Sequence, residues 1–265
     1  MAITIDLVGR VVLVTGGRGG VGGGIVQAFR AAGAEVETAG RSASEPGDDG
    51  ARHGAVHYSV VDVREPDSVG AWIADVLARR GRIDVVVNNA GGGPYADFAA
   101  ASPRLYERVT ALNFLGPAYV AHAAHAALDD ACGVLLNITS ISARRSSPGT
   151  AVYGAAKAAL ESLTTSLAVE WAPRIRVNAV SAGLVATPGA VGHYGDAEQT
   201  ARVAATIPRG VFASPREIGD ACVLLASPFA SHITGAVLAV DGGGEWPAFL
   251  AHTPNARTDG GSRGA

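Results

Sequence analysis

The chain has 265 residues, of which 48% are hydrophobic and 17% charged, and its formal net charge at pH 7 is −3. This apolar content is enough for a sizeable core and excludes an intrinsically disordered chain, which requires low hydrophobicity and high net charge. The mildly acidic balance argues against a nucleic-acid-binding protein, which carries clustered lysine and arginine. Of the 21 basic residues, 20 are arginine, and the one lysine is Lys157.

Neither the first residues nor the longest uncharged stretch predicts a membrane protein. The amino terminus contains Asp6 and has no basic region before an apolar run, so we expect no signal peptide. Residues 109–128 lack Asp, Glu, Lys and Arg, but they include polar residues such as Asn113, so we expect no membrane span there. Cys132 and Cys222 lie in apolar surroundings, which favours buried free thiols in a reducing compartment. We therefore expect a soluble, cytoplasmic protein.

Short β-branched runs alternate with longer, alanine-rich amphipathic stretches. The runs of strand length are Val11–Thr15, Ala34–Ala39, Ala55–Val60, Ile83–Val87, Val134–Ile138, Ile175–Val180 and Ala236–Val240. The segments of helical length are Val21–Ala32, Asp67–Arg80, Pro103–Leu128, Ala151–Trp171 and Pro215–Leu225. Continuous apolar strands indicate a sheet covered on both faces, and βαβα order indicates parallel strands. The pattern predicts a single α/β domain, a doubly wound Rossmann parallel sheet of about seven strands with helices on both faces.

Two segments interrupt this alternation. Residues 186–208 are long, contain glycine, proline, His193 and Tyr194, and follow a strand, which is where a substrate lid lies in such folds. The two aromatic side chains are therefore candidate substrate contacts, with ordinary surface residues as the alternative. Residues 251–265 are rich in glycine and polar residues and have little to bury, so we expect a loose tail after a domain of residues 1–250.

A glycine-rich turn follows the first predicted strand. Gly16, Gly20 and Gly22 have the spacing T-G-x-x-x-G-x-G, directly before a predicted helix. Glycine permits positive φ and close approach of the backbone to a pyrophosphate, and the helix amino terminus supplies N–H groups and a positive dipole. The motif predicts a dinucleotide-phosphate site, with a simple glycine-rich turn as the alternative. Gly23 and Gly24 extend the run into the helix, at about 1 kcal/mol each in helix propensity, for no reason visible in the sequence.

The end of the second predicted strand indicates which dinucleotide is favoured. A carboxylate there would bind the ribose 2′-hydroxyl of NAD(H), whereas an arginine would accept the 2′-phosphate of NADP(H). Gly40 occupies the position of the acid and Arg41 follows it, while Glu37 comes too early to replace the acid. Arg18 in the glycine loop adds a second positive charge. These residues favour NADP(H) without excluding NAD(H), and a solvated arginine is the alternative interpretation of Arg41.

The predicted helix Ala151–Trp171 carries a possible acid/base pair. Tyr153 and Lys157 are four residues apart, so both side chains lie on one face of the helix. A free phenol has a pKa near 10, and a neighbouring ammonium would lower it into a more useful range. Ser140 ends a strand at the carboxyl edge of the sheet, where its hydroxyl could bind a substrate oxygen. Ser142 follows it as a candidate pocket residue, and a surface Tyr–Lys pair is the alternative interpretation.

Together these residues resemble the short-chain dehydrogenase/reductases of the single-domain type, from about residue 7 to residue 246. The matching motifs, in the order of the family, are Thr15-Gly16-x-x-x-Gly20-x-Gly22, Asp62-Val63, Asn88-Asn89-Ala90-Gly91, Asn113, Ser140, Tyr153-x-x-x-Lys157, Gly183-x-x-x-Thr187 and Val240-Asp241-Gly242-Gly243. The Tyr–Lys spacing of four resembles a carbonyl/alcohol enzyme rather than an enoyl reductase of the same superfamily. Two departures are Ala182, where a proline is usual, and Arg18, one place earlier than the basic residue of NADP-dependent members.

The resemblance implies a role for each matching residue. Tyr153 would be the general acid in reduction and the base in oxidation, and Lys157 would lower its pKa and bind the nicotinamide ribose. Ser140 would orient the substrate oxygen, and Asn113 would hold a water that links Lys157 to solvent. Adenine would be contacted by Asp62 and Val63, the adenosine side would be lined by Asn89, Ala90 and Gly91, and the nicotinamide carboxamide would be held by Val185 and Thr187. The cofactor-binding set is Gly16, Arg18, Gly20, Val21, Gly22, Arg41, Asp62, Val63, Asn89, Ala90, Gly91, Tyr153, Lys157, Gly183, Val185 and Thr187.

The predicted function is that of an NAD(P)-dependent oxidoreductase that interconverts a ketone and a secondary alcohol by hydride transfer. The alternative is a Rossmann protein that senses a dinucleotide or acts as a scaffold without turnover, which the intact set Asn113, Ser140, Tyr153 and Lys157 disfavours. Alanine-rich helices and an apolar-leaning lid favour a small or lipid-like ketone as the substrate. The sequence does not decide among steroid, acyl-thioester and sugar-derived alcohols.

The remaining expectations concern metals and partners. His122 and His125 are three residues apart in a predicted helix, but no third ligand lies near them in the sequence, so we predict no metal site. The expected partner is a small-molecule substrate, with no nucleic acid and no membrane. The resemblance also implies a homo-oligomer, in particular a tetramer built on the helices of residues 113–128 and 151–170.

Overall fold

The structure is a computed structural model that describes residues 4–42, 56–187, 189 and 194–252. The strands are Val11–Thr15 (β1), Glu35–Gly40 (β2), His57–Val60 (β3), Val85–Asn88 (β4), Val134–Ser140 (β5), Arg176–Ala182 (β6) and Val237–Val240 (β7). The α-helices are Gly20–Ala31 (α1), Pro66–Arg80 (α2), Pro103–Thr110 (α3), Gly116–Ala131 (α4), Ala151–Glu170 (α5), Ala197–Ala205 (α6) and Pro215–Ala226 (α7). Shorter 3-10 turns are Ile141–Ala143, Pro228–Ala230 and Ala248–His252.

The seven strands form one parallel sheet in the order β3-β2-β1-β4-β5-β6-β7. Two apolar clusters cover its faces, one built on α1 and α7 around Phe29 and Ile218, the other on α2 and α4 around Trp72 and Leu128. The strand order changes direction between β1 and β4, which opens a crevice at the carboxyl edge of the sheet. The predicted doubly wound parallel sheet of seven strands is confirmed.

The helix predicted over Pro103–Leu128 is not a continuous α-helix. A π-helical turn, Ala111–Leu115, separates α3 from α4, and the N–H of Gly116 donates to the carbonyl of Ala111. Such turns widen the helix locally and occur at functional sites. Here the turn contains Asn113, whose side chain is buried beneath the loop that follows β4. The hydrophobic periodicity continues through the turn, and for that reason the sequence shows no break.

The predicted lid region contains a helix that the sequence analysis missed. Asp196 caps the amino end of α6, accepting a hydrogen bond from the N–H of Gln199, and the Gln199 side chain accepts one from the N–H of Asp196. This reciprocal pair is a capping box, and its D-x-x-Q signature is present in the sequence. The segment predicted as a lid therefore contains a helix of nine residues.

The contact between α1 and α7 explains one of the extra glycines. A Cβ on Gly24 would lie 2.6 Å from the Cβ of Pro215, and a Cβ on Gly219 would lie 2.6 Å from the carbonyl oxygen of Gly24. Helix backbones this close leave no room for side chains, so the packing offsets the poor helix propensity of glycine. Gly23 is buried in the same helix, and the structure does not explain why this position is glycine.

The two cysteines differ in solvent exposure, although the sequence predicts that both are buried. Cys222 is buried as expected, and burial raises the pKa of its thiol. Cys132 is exposed, and it ends α4 in a left-handed conformation (φ 48°) before the apolar strand begins. Both cysteines are free thiols.

The longest described helix is α5, with 20 residues, and it carries Lys157, Glu161 and Glu170. Within residues 4–42, 56–187 and 194–252, every helix is too short or too polar to cross a bilayer.

Candidate active site

A cavity of about 940 Å³ lies at the carboxyl edge of the sheet, where ligands bind in open α/β folds. The segments that follow β1 to β6, together with the amino-terminal part of α5, form its walls. The sequence-predicted residues that line it are Gly16, Gly20, Val21, Gly22, Arg41, Val63, Asn89, Ala90, Gly91, Ser140, Ser142, Tyr153, Lys157, Gly183, Val185, Thr187 and Tyr194. The fold thus brings residues from the whole length of the domain around one cavity.

Three predicted site residues do not line the cavity, and a fourth, His193, lies outside the described residues. The carboxylate of Asp62, for which the resemblance implies an adenine contact, is bound by Arg64, with 2.5 Å between Oδ2 and Nη2. Hydrogen bonds from this arginine lower the pKa of the carboxyl. Arg18 lies over the ring of Tyr58, and Asn113 lies behind the cavity wall.

The amino end of α1 borders the cavity without a side-chain cap. Gly19, at the N-cap, supplies no side-chain acceptor, and the first turn contains no acidic residue. The N–H groups and positive dipole of this helix end are therefore free to meet an anion. Gly16 (φ +70°) and Gly20 (φ +53°) have left-handed backbone, and a Cβ on Gly22 would lie 2.6 Å from Nδ2 of Asn89. This side-chain-free cradle fits the pyrophosphate of a dinucleotide.

Two threonines that sequence reasoning did not assign hold this loop in place. The hydroxyl of Thr38 accepts from the N–H of Gly17 at 2.9 Å and donates to the carbonyl of Val14 at 2.7 Å. The hydroxyl of Thr15 accepts from the N–H groups of Asn89 and Ala90, both at 3.0 Å. The first couples the glycine loop to β2, and the second couples β1 to the loop after β4. Thr15 is part of the glycine motif, without a role assigned from the sequence, whereas only its position near a strand end could have indicated Thr38.

The end of β2 accommodates an aromatic side chain instead of an acid. A Cβ on Gly40 would lie 2.7 Å from Oη of Tyr58, so the tyrosine occupies the space of a side chain at position 40. The guanidinium of Arg18 lies 3.4 Å from the centroid of the Tyr58 ring, a cation–π contact. Arg41 lines the cavity beside them. Glu37 is fully buried and bound by Arg79 and Arg80, at 2.8 and 2.7 Å, which makes it a structural group.

Ser140, Tyr153 and Lys157 meet where β5 ends beside α5. The hydroxyl of Ser140 lies near the phenol of Tyr153, and Nζ of Lys157 donates to the carbonyl of Ile138 at 2.8 Å. Burial raises the pKa of the Tyr153 phenol, and the hydroxyl of Ser140 opposes that rise. Burial also lowers the pKa of Lys157 to about 8. All three side chains line the cavity.

The pKa of Tyr153 differs from the sequence-based expectation. We expected the Lys157 ammonium to lower it, whereas desolvation of the phenol dominates and raises it. Nζ lies 5.8 Å from the centroid of the Tyr153 ring and is directed to the carbonyl of Ile138. The phenol is therefore protonated at neutral pH, which is the form that can donate a proton.

Asn113 fixes the loop after β4 from behind the cavity. Its Oδ1 accepts from the N–H of Gly92 at 2.9 Å, and its Nδ2 donates to the carbonyls of Gly92 and Val109, both at 2.8 Å. Both amide hydrogens are used, so the side chain has no donor left for the water that the resemblance implies. A water at this residue would have to be held by an oxygen atom.

The fold and site define a Rossmann-type oxidoreductase, and comparisons with known proteins agree. Residues 16–245 match the family model described as "Enoyl-(Acyl carrier protein) reductase". The chain is 39% identical over 240 residues to an uncharacterized short-chain type dehydrogenase/reductase of Sinorhizobium fredii, covering 89% of this chain and 43% of that longer protein. It is 36% identical over 247 residues to the 3-oxoacyl-[acyl-carrier-protein] reductase of Chlamydia muridarum, covering 89% and 98%.

Among solved structures, the ligand-free aldohexose dehydrogenase of Thermoplasma acidophilum is similar, with a TM-score of 0.83 and 30% identity over 91% of this chain and 96% of that one. The chain belongs to the short-chain dehydrogenase/reductase family of oxidoreductases. Members of this family use NAD(P)(H).

Proposed function

We propose that the protein is an NAD(P)-dependent oxidoreductase that interconverts a ketone and a secondary alcohol, with Tyr153 as the general acid/base. One observation carries the proposal. The pair Ser140 and Tyr153, with Lys157 behind it, lines the same cavity as the uncapped amino end of α1. A dinucleotide whose phosphates lie at that helix end can thus reach the pair, and the 3-oxoacyl reductase among the relatives performs a ketone reduction by name.

The residues of this chain would hold the cofactor along the whole cavity. Gly20 and Gly22 would contact the pyrophosphate, Val63 the adenine, and Val185 and Thr187 the nicotinamide end. The bound cofactor supplies or accepts the hydride, and the protein contributes orientation and the proton.

The proton is the part of the chemistry that the chain supplies itself. Because burial keeps the phenol of Tyr153 protonated, this group can donate to the oxygen of a ketone held within hydrogen-bond distance. Ser140 would hold the same oxygen and stabilise the charge that develops on it. In the oxidative direction the phenol would take the proton back, and the positive charge on Lys157 below about pH 8 would stabilise the phenolate.

Tyr153→Phe tests this assignment, with Tyr119→Phe as a matched control outside the cavity. We expect Tyr153→Phe to lower kcat by about a thousandfold or more, because it removes the proton donor, while the Kd for cofactor changes by less than about threefold. The measurement is NAD(P)H absorbance with a panel of ketones and alcohols, together with a cofactor titration. Unchanged turnover in Tyr153→Phe would refute the mechanism. Cofactor binding by the wild type without turnover of any compound would favour the dinucleotide-sensing alternative.

NADP(H) is the proposed cofactor, on the basis of Arg41 and the absence of a carboxylate at position 40. Tyr58 fills the space of an acidic side chain there, and Arg41 lines the cavity next to it. We expect Arg41→Ala to weaken NADPH binding about 10- to 100-fold, as expected for loss of charge-assisted bonds to a phosphate, and to leave NADH binding unchanged. Arg202→Ala on α6 is the control. Equal affinity of the wild type for NADH and NADPH would contradict the preference.

A cytoplasmic homo-oligomer completes the proposal. The two free cysteines are compatible with a reducing compartment, and a groove of about 330 Å³ between α4 and α5, lined by His122, His125 and Trp171, faces outward where the resemblance implies subunit contact. Light scattering of the purified protein measures the oligomeric state, and a monomer at micromolar concentration would contradict it.

A further inference from the structure

The charged residues that line the cavity are all positive. Among the described residues these are Arg41, Lys157 and Arg145, and no aspartate or glutamate lines the cavity. Arg41 belongs to the end of β2, and Lys157 lies behind Tyr153. Arg145 follows the 3-10 turn after β5 and is thus beyond Ser140, on the side where a substrate would lie. The proposed function gives Arg41 and Lys157 a role and leaves Arg145 without one.

The guanidinium of Arg145 is partly satisfied within the protein. Nη2 lies 3.2 Å from Oε1 of Glu245, and Nη1 donates to the carbonyl of Ser146 at 3.3 Å. An arginine has five N–H donors, so the described residues leave several of them for a ligand. The side chain is 37% exposed, which allows it to be both reached and reoriented.

Tyr194 marks the same end of the cavity. Both Tyr194 and Arg145 line the cavity, and the positive charge of Arg145 opposes the rise that burial causes in the pKa of the Tyr194 phenol. Tyr194 also packs against Phe212, with ring centroids 5.3 Å apart. Arg145 therefore faces the compartment between Ser140 and the lid.

The wall between Arg145 and Tyr153 is rich in hydroxyl groups. Ser142, Ser147 and Thr150 all line the cavity, and the hydroxyl of Ser147 lies 3.3 Å from that of Ser142 and 2.5 Å from that of Thr150. A steroid or another lipid-like ketone would remove water from these hydroxyls and from the N–H groups of Arg145 that have no protein partner, and it offers them few hydrogen bonds in exchange, which costs free energy. The compartment fits a small polar substrate better than the lipid-like ketone favoured by the sequence.

Arg144, the neighbour of Arg145, provides a comparison within the same doublet. It does not line the cavity, and its Nε lies 3.0 Å from Oε2 of Glu161 on α5. One arginine of the doublet thus makes an ordinary surface ion pair, whereas the other borders the site.

We propose that Arg145 is a specificity-determining residue that binds the carboxylate of a small keto acid or hydroxy acid. The ketone or hydroxyl oxygen of that substrate would lie on Ser140 and Tyr153, and its carboxylate would replace Glu245 as the partner of the guanidinium. A planar guanidinium binds carboxylates through paired hydrogen bonds, and this geometry gives both affinity and orientation. This inference rests on the proposed function. The carboxylate is unchanged in the reaction, in which one NAD(P)H and one proton are consumed for each ketone reduced.

The test compares acids with their uncharged esters. The probes are 4-oxopentanoate, 5-oxohexanoate and 4-oxocyclohexanecarboxylate, each beside its methyl ester, assayed with NADPH and with NADH. For at least one acid we expect kcat/KM in the wild type to exceed that of its ester about tenfold or more. Arg145→Gln should lower kcat/KM for the acid about 10- to 100-fold, mainly through KM, and change that for the ester less than about threefold.

Two further variants separate recognition from structural damage. Arg144→Gln removes the neighbouring guanidinium and should leave kcat/KM unchanged for both the acid and the ester. Glu245→Gln removes the internal partner of Arg145 and should raise kcat/KM for the acid by about two- to fivefold, because the guanidinium is no longer held by a charge. If the ion pair between Arg145 and Glu245 were purely structural, Arg145→Gln and Glu245→Gln would both lower kcat/KM, for the acid and for the ester alike.

Binding measured without turnover distinguishes the two proposals. Calorimetry with the wild type and NADP⁺ gives the affinities of acid and ester directly. Preferential binding of the acid that Arg145→Gln abolishes, with no turnover of any ketone, supports the carboxylate site and refutes the proposed function. Equal binding and turnover of acids and esters, or equal losses for both in Arg145→Gln, overturns the role of Arg145 and leaves the proposed function standing.

Discussion

The side chain of Asn113 is hydrogen-bonded to both the N–H and the carbonyl of Gly92, at 2.9 and 2.8 Å. This pairing joins the π-helical turn to the loop after β4, and the preceding residue of that loop, Gly91, lies against Lys157. We therefore expect the asparagine to act as a positioning residue, through the loop that it holds. The π turn allows this, since it interrupts the α-helix at the point where the amide must be directed toward the loop.

Replacing Asn113 with aspartate tests this role. The carboxylate cannot donate, so it would be placed against the carbonyls of Gly92 and Val109, and we expect the free energy of unfolding to fall by about 3 kcal/mol. Cofactor-dependent turnover should fall as well, because the loop loses its anchor. Urea denaturation and steady-state kinetics measure the two effects.

Asn178→Asp is the matched control for that change. Asn178 is also buried and holds backbone groups, donating to the carbonyl of Ile233 and accepting from the N–H of Ala236, but it lies outside the cavity lining. The Asn178→Asp variant should lose a comparable amount of stability, and it should keep the wild-type KM at temperatures where it is folded. An equal loss of kcat/KM in both variants would contradict a specific role for Asn113.

Gly91 leaves space that the site requires. A Cβ at this position would lie 2.8 Å from Oδ1 of Asn113 and 3.1 Å from Nζ of Lys157. Gly91→Ala must therefore displace one of these groups, and a displacement on the order of 1 Å near reacting groups lowers rates by about a hundredfold. We expect kcat to fall by about 10- to 100-fold, with a smaller change in stability.

Gly93→Ala provides the comparison, because a Cβ there would make only ordinary contacts, at 3.5 Å or more, with Val109 and Tyr153. Its kcat should remain within about threefold of the wild-type value. If Gly91→Ala is as active as Gly93→Ala, Lys157 and Asn113 tolerate displacement, and their observed positions are not essential.

A buried hydrogen-bond chain supports the site from below. Asn88 donates to Oδ1 of Asn137, and Nδ2 of Asn137 donates to the hydroxyl of Thr164 on α5, at 3.0 and 2.9 Å. Thr164→Val keeps the shape and removes the acceptor, so we expect a loss of about 1–3 kcal/mol in stability from the unsatisfied amide. Thr165→Val, one residue along and exposed, should change stability by less than about 0.5 kcal/mol. Thermal or urea unfolding of the two variants measures this difference. Equal stabilities of Thr164→Val and Thr165→Val would show that the buried hydrogen bonds contribute nothing to stability.

The strands and most helices were predictable because their apolar runs are buried on both faces of the sheet, as Leu135 and Leu136 show by facing opposite clusters. The motifs also predicted many of the residues that line the cavity, since glycines and the Tyr–Lys pair have specific spacings. The π turn was not predictable, because its hydrophobic pattern matches that of an α-helix. Tyr58, Thr38 and Arg145 were missed for another reason, namely that their roles depend on which strand or loop lies opposite them.

The pH dependence of stability gives the sharpest test of the environment of Lys157. Its pKa is lowered from 10.5 to about 8 by burial, so between these values the unfolded chain binds more protons than the folded one. Stability attributable to this group therefore rises with pH from about 8 to 10.5 and is lowest below pH 8. We expect the unfolding free energy of the wild type, relative to Lys157→Met, to increase by about 3 kcal/mol over that window.

Urea denaturation of both proteins at pH 7, 8, 9 and 10 measures this difference, in which all other titrating groups cancel. Lys157→Arg is the informative third protein, because a guanidinium stays charged throughout the window and presents a wide fork to the single carbonyl of Ile138. It should lose turnover and, unlike the wild type, gain no stability relative to Lys157→Met as the pH rises. A constant difference between the wild type and Lys157→Met would mean that Lys157 titrates at its ordinary pKa. The use of lysine here, in a chain whose other 20 basic residues are arginine, would then have no electrostatic reason.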